Sequence, residues 1–492
     1  MSALEAVIPT PQVIERLPGA SFKPLAPAYV RIPKPKPELQ QEAIRIADLL
    51  KRNHGLDFQV AVGGTEQPGD IRLEVAPVAG VPTGKEAESY ALTVQNGQLT
   101  ISAPRMRGWY YAAQTLTQIL LRSPEVPACR IRDWAAYPIR SLHVDAARKY
   151  FPKSWFIRQI DRLATLKINQ LQWHFSENEG FRLESKKHPE ILSKSYISRQ
   201  EAREIIAYAQ DNHVEIVPAF DMPGHLGWLL RNHPEFRAGE GEYLTRMLDY
   251  SNPVAVAFLK ELIDEFSSLF IGQTQTWMVG GDEVFPMEWI PKELAKRTPQ
   301  LSEYAKRNLG PKAEVLDGYM YFLGEIDEYL RLKGFSETRA WSDLLYITNL
   351  MNLPPRMQIA YWTQWSELMP STQKLLERGH QLLNVSDRYF YYVISNRDDC
   401  AYKKHVEATE ILRNYEPQVF SEKYPSPVAQ ARVLGSSYAI WCDTPETEDY
   451  EQITRGIWPG MAAMSQKTWN PSVKVLDEEG FMSQLYLLAK RV

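Results

Sequence analysis

The chain has 492 residues and a formal net charge of −4, with 44% hydrophobic and 24% charged residues. That length exceeds one typical domain of about 100–200 residues, and the charge offers no basic face to nucleic acid or an anionic membrane. Three scattered cysteines, Cys129, Cys400 and Cys442, form neither a disulfide framework nor a metal motif; without a long apolar run or a leader-like start, the expected location is the cytoplasm.

Residues 1–136 predict a smaller α+β N-terminal domain. Ser89–Pro104, SYALTVQNGQLTISAP, alternates, turns at Asn96-Gly97 and alternates again, which predicts a hairpin. RMRGWYYAAQTLTQILL then carries helical spacing, and Pro124, Pro127 and Pro138 punctuate the exit. From about residue 137 short strand-like runs alternate with amphipathic helical runs. Eight strands are predicted, beginning near Ile139, Ile168, Val214, Thr276, Ser336, Met357, Gln381 and Val433. The clearest helix is PVAVAFLKELIDEFSSLF, with Asn252 as N-cap, Pro253 at its first position, and Ala255, Phe258, Leu259, Leu262, Phe266 and Leu269 on one face. Eight such units predict a (β/α)8 barrel over 137–492, interrupted by a long insertion near Pro286–Pro311.

In a barrel of this kind the chemistry sits at the C-terminal ends of the strands. Those ends carry Asp145, His174 with Glu177, Asp221 with His225, Asp282 with Glu283, Trp341 with Asp343, Trp362, Tyr389, and Trp441 with Asp443. Thirteen tryptophans and 25 tyrosines add surface for flat, partly apolar ligands such as sugar rings. Within WMVGGDEVF, an apolar strand drives Asp282 and Glu283 into one rim position behind Gly280 and Gly281. Other Asp-Glu pairs, such as Asp264–Glu265, lie in polar runs and read as solvated faces. Acids and aromatics on one rim predict a site for glycosidic bond cleavage.

The motifs VGGDEV, VPAFDMPGH, IRSLHVDAARKYFP, NQLQWHFSENEGFRLESKKHPE and LDYSNP together resemble the family 20 glycoside hydrolases, the β-N-acetylhexosaminidases, over nearly the whole chain. The resemblance implies a retaining reaction in which the substrate's own 2-acetamido oxygen attacks the anomeric carbon, an exception to the two-carboxylate scheme. It implies Glu283 as general acid/base, Asp282 as acceptor of the acetamido N–H, and Tyr389 as the group holding the acetamido oxygen, with Tyr391 as fallback. His225 would link Glu283 to a second carboxylate, Glu177. Arg140 and Asp443 would hold sugar hydroxyls, and Trp341, Trp362 and Trp441 would line the acetamido pocket. Departures from the family pattern are Met278, Ala219 and Gly460.

Plainer readings stand beside these. His174 alone reads as a satisfied buried histidine, Trp365 as packing, and Asp145 and Asp221 as buried carboxylates with Arg148 as a partner. Cys442 reads as a wall residue. His143 and Asp145 share a strand face but lack a third ligand, so no metal is expected, and no cofactor. The expected substrate is an oligosaccharide or glycoconjugate ending in N-acetylhexosamine, cleaved by an exo-acting monomer or homodimer. The alternatives are a lacto-N-biosidase-like enzyme releasing a disaccharide, and a sugar-binding protein without catalysis.

Overall fold

The computed structural model describes residues 2–25, 27–286, 289, 291–343, 350–396, 405–472 and 478–490; Cys400 lies outside them. The N-terminal region forms a seven-stranded mixed sheet, from Val13–Arg16 to Cys129–Asp133 in chain order, with helices Pro37–His54 and Met106–Leu120 packed on it. The expected hairpin pairs Tyr90–Gln95 with Gln98–Ala103, and Asn96 and Gly97 both take positive φ (51° and 78°) as its two-residue turn requires. Helix Met106–Leu120 is buried from Gly108 through Ile119. A helix apolar all round needs cover on every side, and this one is wedged between its own sheet and the next domain: Tyr110 donates to Asn212 at 2.6 Å, and Gln118 donates to the Thr165 carbonyl at 3.1 Å.

Eight parallel strands follow: Ile139–Asp145, Gln170–His174, Glu215–Ala219, Thr276–Met278, Glu337–Trp341, Gln358–Tyr361, Leu382–Asn384 and Val433–Trp441. Each pairs with the next, and the eighth pairs with both the seventh and the first, which closes the barrel. All eight lie within the runs predicted from the sequence. Helix Pro253–Phe270 forms as the spacing predicts: the Asn252 side chain accepts from the Val254 N–H at 3.0 Å, and the six named apolar residues are all buried. The insertion after the fourth strand contains helices Pro291–Arg297 and Pro299–Leu309, and helix Val315–Leu332 then leads into the fifth strand. Among the described residues no helix is long and apolar enough to cross a membrane.

The register aligns Asp145 with His174, His174 with Ala219, and Ala219 with Met278. Inside the barrel, Ala219 and Met278 join Val217, Ala360 and Leu383 in an apolar floor beneath Trp341, Trp362 and Tyr391.

Arg140 corrects an expectation. It sits near the N-terminal end of the first strand, at the opposite end of the barrel from Asp145, and is fully buried. Its guanidinium donates to Glu88 at 2.6 Å and to the carbonyls of Lys167 and Tyr137 at 2.6 and 2.8 Å, and stacks 5.0 Å from the Trp469 ring. Residues five apart on one strand are separated by roughly 16 Å, so Arg140 cannot reach a rim ligand. It locks the two domains together beside a second buried pair, Lys167 with Asp133 at 2.9 Å. Removing one partner of such a pair strands the other charge. Arg140→Met should therefore cost about 3–5 kcal/mol, read by urea unfolding, with part of the loss recovered in Arg140→Met/Glu88→Gln.

Candidate active site

Gly280 and Gly281 carry the chain from the fourth strand to the two acids with φ of +75° and +88°. A Cβ on Gly280 would lie 2.5 Å from Asp221 Oδ1, and one on Gly281 would lie 2.7 Å from the Tyr319 hydroxyl. The glycines thus let the strand end press against a neighbouring acid and a helix. Glu283 itself has φ of +46°, a sparsely populated region for a residue with a side chain. Its backbone N–H donates to Asp343 Oδ2 at 2.9 Å, and Asp343 Oδ1 accepts from the Trp362 indole at 3.0 Å. Asp343 thus fixes both the strained acid and one aromatic wall. Sequence reading placed it on the rim without a role, since what it holds comes from the fourth and sixth strands.

His225, also at positive φ (55°), ends the DMPGH run between the third strand and the next helix. Its Nδ1 lies 2.8 Å from the Glu177 carboxylate, while Nε2 faces Asp282 at 3.6 Å and Glu283 at 3.7 Å. The structure therefore brings Glu177, His225, Asp282 and Glu283 together. Two carboxylates that face one ring nitrogen lie on the same side of the pocket. The Asp282 side chain is 13% exposed and that of Glu283 is 51% exposed, so the first is walled in and the second meets incoming groups.

Burial alone would push Glu177 up and His225 down. For Glu177, Arg148 and His225 overcome it and hold the carboxyl well below its usual range. For His225, the Glu177 and Asp282 charges overcome it and hold the imidazole well above its usual range. Asp282 goes the other way. Burial raises it well above an ordinary aspartate, His225 tempers this, and Asp221 and Asp343 add repulsion. Burial also lifts Asp343 to about 6 despite the donors it holds. His174, which from the sequence reads as a satisfied buried histidine, lies 3.6 Å from both Glu177 and Asp221; burial disfavours its charge, but those carboxylates raise it to about 9. His174, Glu177 and Asp221 could geometrically surround a cation. Arg148 and two histidines already supply the positive charge there, so this set reads as an ion network.

The aromatic wall is Trp341, Trp362, Tyr391 and Trp441 around a cavity of about 170 Å³, also lined by Arg148, His225, Asp282, Glu283, Trp365 and Asp443. Tyr391 stacks on Trp362 with ring centroids 5.9 Å apart and planes 6° from parallel. Tyr389 is a second correction. It falls in a helical turn, Asp387–Phe390, where its ring packs on Tyr415 and its hydroxyl points to the Asn414 carbonyl at 3.5 Å. Tyr391 begins the short strand Tyr391–Val393, parallel to the eighth barrel strand. Alternation there sends Tyr391 and Val393 inward. Arg148 takes the place expected of Arg140: it bonds Asp145 at 2.9 Å and lies 3.5 Å from Glu177 and 3.8 Å from Asp443. Asp145 and Asp221 are buried as expected. Cys442 is buried, its thiol pushed well up by burial and by Asp145, which is the state of a wall residue.

A second cavity of about 380 Å³ adjoins the first through His225, Glu283 and Trp365, and is otherwise lined by Asn178, Glu242, Tyr243, Arg246 and Phe285 among others. Trp365, half exposed and edge-on to Trp362 at 4.7 Å, stands between the two. It is a shared wall rather than interior packing.

Comparison with known proteins gives two family matches. Residues 137–472 match "Glycosyl hydrolase family 20, catalytic domain", and residues 5–134 match "Glycosyl hydrolase family 20, domain 2". A lacto-N-biosidase of Bifidobacterium bifidum is 24% identical over 88% of this chain, which spans 37% of that protein's length. β-Hexosaminidase subunit A1 of Dictyostelium discoideum is 27% identical over 78% of this chain and 69% of its own. Among solved structures, a β-N-acetylhexosaminidase from Bacteroides fragilis superposes with a TM-score of 0.79 at 21% identity, covering 99% of this chain and 96% of that one. At that identity the likeness speaks to the fold.

Proposed function

Because the chain belongs to glycosyl hydrolase family 20, we propose that it is an exo-acting β-N-acetylhexosaminidase whose chemistry is carried by Asp282 and Glu283. The observation that carries this reading is the convergence of both acids on His225 Nε2 beside a small tryptophan-walled pocket. A carboxylate pair on one side of the pocket suits a reaction whose nucleophile is the substrate's own acetamido oxygen, as the family's substrate-assisted scheme requires.

In this reading the terminal N-acetylhexosamine enters the 170 Å³ pocket and the leaving group occupies the 380 Å³ cavity beyond it. Glu283 lies on both cavities, where an acid must stand to protonate the bond between them and then to activate water. Asp282 accepts the acetamido N–H and steadies the positive charge growing on that group, an interaction that strengthens toward the transition state. The Tyr391 hydroxyl orients the acetamido oxygen between the Trp362 and Trp441 rings. Arg148 and Asp443 hold ring hydroxyls at the far edge. His225, held as imidazolium by Glu177, sets a positive charge beside both acids and tempers the rise that burial imposes on Asp282.

The disaccharide-releasing alternative needs more room on the non-reducing side. The inner pocket is the smaller of the two adjoining cavities, about 170 Å³ against about 380 Å³, which favours one sugar there. The test is hydrolysis of aryl β-GlcNAc, β-GalNAc, β-glucoside and β-lacto-N-bioside. Cleavage of the two N-acetyl monosaccharides alone is expected; cleavage of the lacto-N-bioside alone overturns the exo reading. With the same substrates, Tyr391→Phe should lower kcat on the order of 10²-fold, the usual cost of one lost donor to a reacting oxygen. Tyr389→Phe should stay within about twofold. The reverse order would return the acetamido role to Tyr389.

A further inference from the structure

The sequence contains the triplet His-Pro-Glu twice, at His188–Glu190 and His233–Glu235. In the fold each triplet opens a short 3-10 turn, and the two turns face each other on the outside of the barrel. His188 Nδ1 lies 3.1 Å, and His233 Nε2 3.2 Å, from the same oxygen, Glu190 Oε1. The three ligand-type atoms fall within 4.8 Å of one another. Both rings are held from behind: His188 packs edge-on to Phe258 at 4.7 Å, and His233 packs on Phe258 at 4.5 Å and stacks on Phe236.

The second nitrogen of each ring also meets a carboxylate. His188 Nε2 faces Glu261 at 3.5 Å, and His233 Nδ1 faces Glu235 at 3.5 Å. Suppose both histidines are neutral and donate to Glu190. Each then turns a lone pair toward a second carboxylate, which is repulsive. Satisfying all four nitrogens requires either two imidazolium ions or something that accepts the lone pairs of His188 Nδ1 and His233 Nε2. A metal ion does the latter, and leaves each outer N–H to donate to a carboxylate, the usual support of a metal-bound histidine. A tetrahedral zinc ion with bonds of about 2.0–2.2 Å separates its ligand atoms by about 3.3–3.5 Å, close to the 3.1 and 3.2 Å between the two imidazole nitrogens and Glu190 Oε1.

We propose that His188, His233 and Glu190 form a binding site for a divalent transition-metal ion such as zinc, with Glu261 and Glu235 as its outer carboxylates. Two imidazoles and a carboxylate favour this class over calcium or magnesium, which take oxygen. The site is half-buried and reachable from solvent. It bridges the segment that leaves Glu177 and the segment that leaves His225, so a bound ion staples together the two stretches that deliver the Glu177–His225 pair. The charged groups around it are Glu190, Glu235, Glu261 and Lys187, which pairs with Glu261 at 2.9 Å. Protons compete with the ion for both imidazoles as pH falls.

The test uses untagged full-length protein, stripped with chelator and titrated with zinc chloride by calorimetry at pH 7.5, with thermal unfolding in parallel. One equivalent should bind and raise the midpoint of unfolding. His188→Ala and His233→Ala should each abolish binding and the thermal shift, and Glu235→Gln should weaken affinity by about 10- to 100-fold. Circular dichroism checks that the variants are folded, and His233→Gln serves if alanine is not tolerated. Cobalt(II) in place of zinc should give visible absorption of low-coordinate type that is lost in the same variants. The proposal is overturned if the wild type binds no zinc, or binds it equally in His188→Ala and His233→Ala. The cluster is then a histidine–glutamate hydrogen-bond network only.

Discussion

Glu283→Gln should lower kcat on an N-acetylglucosaminide by about 10²–10⁴-fold, the span expected for one general acid/base. The amide keeps the shape of the carboxyl, and what pins this position is the backbone N–H bonded to Asp343, which the substitution leaves in place. Unfolding stability should thus stay within about 0.5 kcal/mol of wild type, as for other exposed side chains. The size of the loss should depend on the leaving group. A nitrophenolate departs almost unaided, whereas a sugar alkoxide needs the proton. Measured across aryl glycosides of rising leaving-group pKa and a chitobiose substrate, the defect should widen steadily. An equal loss on every substrate would mean that Glu283 positions the substrate and that the proton comes from elsewhere.

Asp282→Asn is the second large effect, about 10²–10³-fold in kcat, with little change in KM if the contact forms mainly in the transition state. It also carries a stability signature of opposite sign. Burial and the nearby Asp221 and Asp343 hold the Asp282 carboxyl well above its ordinary value. For an acid raised by folding, the favourable contribution is present while it is protonated and is lost as pH rises through its folded value. The asparagine is neutral at every pH. At pH 7 the variant should therefore match or exceed the wild type in thermal midpoint, with the difference shrinking as pH falls. The same shift places the acidic limb of the kcat/KM profile above the ordinary carboxylate range, since Asp282 must ionise to accept the acetamido N–H. In Asp282→Asn that limb should vanish from the residual activity. A variant that is both inactive and markedly less stable at pH 7 would point to a structural role for Asp282.

Much of this protein was legible along the chain. The eight strand runs, the Asn96-Gly97 hairpin and the Asn252-capped helix rest on local rules: alternation, turn residues and caps act over a few residues, so sequence spacing contains them. The rim acids were legible for a related reason, because a barrel puts strand ends on one face. What failed was choice between neighbours. Arg140 lies near the start of the first strand and Arg148 follows its end, and only the tertiary contacts show that one faces Glu88 at the bottom while the other reaches Asp443 at the top. Tyr389 and Tyr391 are two residues apart, and only pairing of Tyr391–Val393 with the eighth strand decides which ring enters the pocket. The roles of Asp343 and His174, and the meeting of two His-Pro-Glu turns, are set by contacts between residues far apart in sequence. Such contacts depend on how closed strands and loops bring distant side chains within a few ångströms, and no local pattern encodes that distance.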